Sequence, residues 1–113
     1  MELDPVLLAR LHAATTRELS LARDQLLALG RRSAEEKLAW FLIHLRDRRA
    51  RAGDRSAVIA LTMSRLDIAD FLGLTIETVS RTLTRLAREG CVEIVPGGVR
   101  LTDQARIEQL AAT

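Results

Sequence analysis

Between residues 64 and 90 the chain leaves few choices of fold. Ser64-Arg65-Leu66-Asp67 offers a cap hydroxyl at the start of a helix, and Gly73 ends that helix after about two turns. Only Leu74 separates Gly73 from Thr75, a second cap residue, and the next helix is expected from Ile76 to Glu89, with Gly90 stopping it. A three-residue turn, Gly73-Leu74-Thr75, needs a backbone excursion that a residue without Cβ makes most cheaply, and Gly73 supplies it. In the second helix Ile76, Val79, Leu83 and Leu86 recur at spacings of three and four, which predicts one buried face. Leu66, Ile68, Ala69 and Leu72 are expected to be buried, in part, by the first. Glu77, Ser80, Arg81, Thr84 and Arg88 then face outward.

The segments on either side complete the pattern. Val92-Glu93-Ile94-Val95, the turn Pro96-Gly97-Gly98 and Val99-Arg100-Leu101 read as a β-hairpin. Asp103 is placed to cap a short last helix carrying Ile107, Leu110 and Ala111. Upstream, Val58-Ile59-Ala60-Leu61 is short and β-prone. Ser33-Ala34-Glu35-Glu36 is a capping box opening a helix over about 34–48, with Leu38, Phe41, Leu42 and Leu45 inward and Trp40 in packing. Arg46 to Arg55 reads as a charged connection, a solvated surface with auxiliary phosphate contact as the lesser alternative. Two helices on a tight turn followed by a hairpin form the pattern of a winged helix-turn-helix.

The N-terminal segment is different in kind. From Asp4 as cap and Pro5 in the first turn, a helix is expected to run to Leu29, with Gly30 after it. Leu7, Ala14, Leu21 and Ala28 recur every seven residues, but Glu18 and Gln25 interrupt the flanks, so a strict coiled-coil seam is not supported. A helix of about 37 Å is long for the rest of the chain to cover on one side. Its apolar stripe can serve its own domain or a second copy of the chain, and the length favours the copy. The expected architecture is mainly α, with a dimerisation helix in residues 1–30 and a winged helix-turn-helix with a small β-hairpin wing in residues 31–113.

Composition narrows the chemistry. No apolar run approaches the ~18 residues of a membrane span, and the N-terminus lacks a secretory pattern, so the chain reads as cytoplasmic. Cys91, the one cysteine, is expected in a wing strand as a buried free thiol. His12 and His44 lie on separate helices, and no metal or cofactor is expected. No nucleophile with a base, no metal cluster and no phosphate loop is visible, so an enzyme is not expected. The net charge is only +2, yet residues 31–60 carry eight basic and four acidic groups, and 16 of the 17 basic residues are arginine. Charge alone does not define a partner.

The outward face does. A recognition helix must offer short polar groups and a guanidinium on its N-terminal turns, and Glu77, Ser80 and Arg81 do so. Thr75 and Thr78 can donate hydroxyl hydrogen bonds to phosphate at the helix N-terminus. The alternative is a small helical domain whose Glu77 and Arg81 form a surface i,i+4 ion pair.

Met63-Ser-Arg-Leu-Asp-Ile-Ala-Asp-Phe-Leu-Gly-Leu-Thr-Ile-Glu-Thr-Val-Ser-Arg-Thr-Leu83 resembles the helix-turn-helix of Crp/Fnr-family transcription regulators. Leu27 to Ala39 is similar to the family's passage from dimerisation helix to DNA-binding domain, and the likeness extends over about residues 5–102. Glu77, Ser80 and Arg81 match the Glu-x-x-Ser-Arg signature of the Fnr and FixK branches, which are associated with TTGAT…ATCAA palindromes. The resemblance implies that Arg81 takes a guanine through O6 and N7, that Glu77 accepts from a cytosine amino group, and that Ser80 contributes to the base pair distinguishing this branch. Ile76 and Ser80 stand where the cAMP-binding branch usually carries Arg and Gly. Ser64, Thr75 and Thr78 match phosphate-contacting positions; Arg65 and the wing tip with Gly97, Gly98 and Arg100 are further phosphate candidates.

A full family member carries an N-terminal β-barrel sensor, and these 113 residues contain no counterpart of it. The expectation is a homodimer, joined through residues 5–29, that binds double-stranded DNA without effector control and has RNA polymerase as a further partner. The rival is a fragment that dimerises but no longer binds DNA and acts on full-length relatives.

Overall fold

The computed structural model describes residues 32–112, and the helix expected over residues 5–29 lies outside them. Seven elements follow in order: α1 (Ala34–Arg51), β1 (Val58–Ala60), α2 (Arg65–Leu72), α3 (Ile76–Arg88), β2 (Val92–Val95), β3 (Gly98–Leu101) and α4 (Gln104–Ala112). This is the mainly helical winged helix-turn-helix arrangement expected from the sequence. The wing sheet is larger than expected. Its hairpin is joined by β1 into a three-stranded antiparallel sheet of order β1-β3-β2, with Ile59 opposite Val99.

Each helix starts where its cap chemistry dictates. At α1, Ser33 Oγ accepts from the Glu36 amide at 3.1 Å, and the Glu36 carboxylate accepts from the Ser33 amide at 2.8 Å. That second bond holds the Glu36 carboxyl below its ordinary value. The Asp103 carboxylate accepts from the Arg106 amide at 3.1 Å as α4 begins. α1 continues one turn beyond the expected residue 48, to Arg51. Arg48, Arg49 and Arg51 place positive charge where the helix dipole is negative, and Gly53 follows in a left-handed conformation. Part of the expected charged connection is therefore helix.

The core is drawn from all four helices and from β3. Leu38, Leu42, Ile68, Val79, Leu83, Leu86, Val99 and Ile107 are almost wholly buried, and all four apolar residues expected inward on α1 are inside. Each such side chain contributes about 1.5–3 kcal/mol on leaving water. Trp40 is buried, stacked on the His44 ring at 3.8 Å between centroids, and Phe41 meets Phe71 edge-on at 6.0 Å. Arg46 fastens α1 to α4 by bonding Glu108 at 3.1 Å and Gln104 at 3.4 Å.

Two expected core positions are corrected. Leu66 is 51% exposed and Ile76 is 41% exposed. Each occupies the first turn of its helix, ahead of the stripe that meets the core (Ile68, Ala69 and Leu72 on α2; Val79, Leu83 and Leu86 on α3). Cys91 is buried as expected but precedes β2 rather than lying in it. Its carbonyl accepts from the Thr102 and Asp103 amides, closing the base of the wing.

Candidate nucleic-acid interface

The turn between α2 and α3 fixes the geometry of the face. Gly73 has φ +70°, and the Leu74 amide donates to the Ala69 carbonyl at 2.8 Å, ending α2 abruptly. Two residues later Thr75 caps α3: its Oγ1 accepts from the Thr78 amide at 3.1 Å and donates to Thr78 Oγ1 at 2.9 Å. Because Thr78 Oγ1 serves as acceptor there, its own hydroxyl hydrogen is left to donate outward. Ser64 caps α2 in the same way, its Oγ accepting from the Asp67 amide at 3.1 Å, and so keeps its own hydrogen to donate. Ser64 and Thr78 therefore present donors at positions expected to meet phosphate, with Arg65 half-buried beside Ser64, whereas Thr75 spends its only hydroxyl hydrogen on Thr78.

α3 divides cleanly between its two faces. Val79, Thr82, Leu83 and Leu86 are buried; Glu77, Ser80, Arg81, Thr84, Arg85 and Arg88 are exposed. Among the described residues neither Glu77 nor Arg81 has a hydrogen-bond or ion-pair partner, so the i,i+4 pair of the alternative reading is not formed. The two groups with most to offer a base edge are free. Thr84 instead donates to the Ser80 carbonyl at 2.9 Å, keeping its hydroxyl against the helix.

The wing candidates are less available than the sequence suggested. Arg100 stands opposite Glu93 across the β2–β3 register and donates to it at 2.8 Å. A phosphate would have to compete with that carboxylate. Gly97 lies exposed at the tip with φ +72°, whereas Gly98 is buried against β1. Arg85 was not singled out from the sequence. It donates to Glu35 at 3.3 Å, linking the first turn of α1 to α3. Its seven-residue spacing from Thr78 gives a helical position but no hint of a partner fifty residues away. Among the described residues no group of three or more His, Cys, Asp or Glu is placed to hold a metal, and no helix is long and apolar enough to cross a membrane.

Comparison with known proteins assigns the class. Residues 36–110 match the Crp-like helix-turn-helix domain family, and the chain belongs to it. It is 59% identical over 108 residues to the transcriptional activatory protein AadR of Rhodopseudomonas palustris, covering 96% of this chain and 45% of that protein. It is 55% identical to the nitrogen fixation regulation protein FixK of Bradyrhizobium diazoefficiens, over 96% of this chain and 46% of the relative. The chain thus spans about half the length of the curated relatives it matches. Among solved structures it is similar to FixK2 from Bradyrhizobium japonicum, with TM-score 0.71, 38% identity, and coverage of 97% of this chain and 54% of the other. The catabolite activator protein of Thermus thermophilus matches with TM-score 0.54 and 30% identity, over 96% and 47% of the two chains.

Proposed function

We propose that the chain is a sequence-specific, DNA-binding transcription regulator of the FixK/Fnr kind, acting as a homodimer on a TTGAT…ATCAA palindrome. The observation that carries this reading is the free, outward-facing set Glu77, Ser80 and Arg81 on the first turns of a capped α3. In it Arg81 donates to O6 and N7 of a guanine, Glu77 accepts from a cytosine amino group, and Ser80 meets the neighbouring pair. Ser64, Arg65 and Thr78 hold the backbone, with Thr75 joining them when its hydroxyl turns from Thr78 and Arg100 when it leaves Glu93. The names of the relatives, an activatory protein and a nitrogen fixation regulator, support a regulatory role.

A palindrome needs two recognition helices about 34 Å apart, and pairing of residues 5–29 between two copies is the arrangement proposed to supply it. The site of action is the cytoplasm, where DNA and RNA polymerase, the further partner, are at hand. The reading is tested by gel shift on the palindrome and on a scrambled duplex, with sedimentation of the free chain. Preferential binding of the palindrome by a dimer supports it. Equal binding to both duplexes, or none, favours a dimerising fragment without operator recognition. Leu11→Glu with Leu26→Glu is expected to give monomers with much weaker palindrome binding.

A further inference from the structure

Arg88 is the last residue of α3, exposed, and among the described residues it has no hydrogen-bond or ion-pair partner. It follows Glu77 by eleven residues, about three full turns, and so stands roughly 20° from Glu77 around the axis. Thr84 falls about 20° to the other side and Arg81 about 40° from Glu77. These four residues make one stripe along the exposed face. Thr84 is short and folds back on the Ser80 carbonyl, so it places no bulk between Arg81 and Arg88.

Distance decides what the far end of the stripe can meet. Arg88 lies about 16 Å from Glu77 along the helix, whereas the major groove is about 12 Å wide. A helix that enters the groove at an angle by its first turns, as a recognition helix does when its N-terminal residues meet the base edges, carries its last turn past the bases toward the sugar–phosphate rim. A guanidinium suits a phosphate oxygen there by its charge and its forked donors. Arg85 is differently placed, about 80° from the Glu77 line and engaged with Glu35.

Resting on the DNA-binding reading above, we propose that Arg88 is a phosphate clamp, gripping the DNA backbone at the far rim of the groove from Thr75 and Thr78. It adds affinity without adding base preference. A cation in the last turn of a helix also offsets the helix dipole, and the salt dependence of binding separates the two roles.

The test is fluorescence anisotropy with a labelled TTGAT palindrome and a duplex changed at one base pair, from about 50 to about 200 mM salt, for wild type, Arg88→Gln, Arg88→Lys and Arg85→Gln. One phosphate contact contributes a slope of about 0.9 in the log–log salt plot, so losing two in a dimer lowers it by about 1.8. Across the fourfold salt range, wild type should lose about 12-fold more affinity than Arg88→Gln. The ratio between the two duplexes should stay within about twofold, because phosphates carry no base identity. Arg88→Lys and Arg85→Gln should keep the wild-type slope. An unchanged slope in Arg88→Gln, an equal drop in Arg85→Gln, or a changed duplex ratio overturns the clamp while leaving the DNA-binding reading in place. Wild type that binds neither duplex overturns both.

Discussion

Gly98 is where the wing is most sensitive to a single methyl group. It stands opposite Ala60 in the β1–β3 register, and a Cβ there would run into the Ile59 carbonyl oxygen, with the Ile59 carbonyl carbon at 3.1 Å and Ala60 Cα at 3.2 Å. All three neighbours are backbone, so no side chain can turn aside. Gly98→Ala must instead push β1 away from β3. Two contacts at that end of β1 are exposed to the movement: Leu61 donating to the Gly97 carbonyl at 2.9 Å, and Arg49 Nη2 donating to the Ala60 carbonyl at 2.6 Å. Weakening a neutral bond costs about 0.5–1.5 kcal/mol and a bond to a charged group about 1.5–3 kcal/mol. The stiffer unfolded chain returns about 0.4–1 kcal/mol. A net loss of about 1–4 kcal/mol follows, to be read from urea unfolding followed by circular dichroism. Gly97 supplies the control, because its constraint is φ +72° with nothing within 4 Å. Asn tolerates the left-handed region, so Gly97→Asn should cost less than Gly98→Asn. A Gly98→Ala protein within about 0.5 kcal/mol of wild type would refute the close approach of β1 and β3.

Two further outcomes are expected from titratable groups. The Glu36 carboxyl is lowered by the Ser33 amide that donates to it, so its contribution to stability is present above the unfolded carboxyl's range and is lost as pH falls through the folded value. The melting temperature of Glu36→Gln should therefore fall less steeply in acid than that of wild type, and parallel curves would count against the capping box. Burial, reinforced by Glu89 and Asp103, raises the Cys91 thiol above its usual value. Cys91 should react slowly with a thiol reagent at neutral pH and rapidly in denaturant; equal rates would contradict its burial at the base of the wing.

The parts of the fold legible in the sequence are those set by neighbours in the chain. Ser33, Ser64 and Thr75 cap helices because the amide each satisfies is three residues away, and Gly73 turns the chain on its own φ. Val92 to Leu101 announces a hairpin because its turn is local. The features that were not legible depend on contacts across the fold. Val58–Ala60 is too short to carry a period, and its pairing with Val99 joins residues forty apart. Leu66 and Ile76 look inward by composition, but their first-turn positions leave them outside the packed stripes. Within the interface, the outward set Glu77, Ser80 and Arg81 was visible from helical phase alone. The engagement of Arg100 with Glu93 and of Arg85 with Glu35 depended on geometry that spacing could not supply.

The central claim is that Arg81 reads a guanine, and a cycle of two changes tests it directly. Binding is measured for wild type and Arg81→Ala, each on the TTGAT palindrome and on one with the guanine of both half-sites replaced. Wild type should lose about 1–3 kcal/mol per half-site when the guanine is replaced. Arg81→Ala should lose a similar amount on the intact palindrome and little more on the altered one. If Arg81→Ala still discriminates the guanine as strongly as wild type does, Arg81 does not read that base.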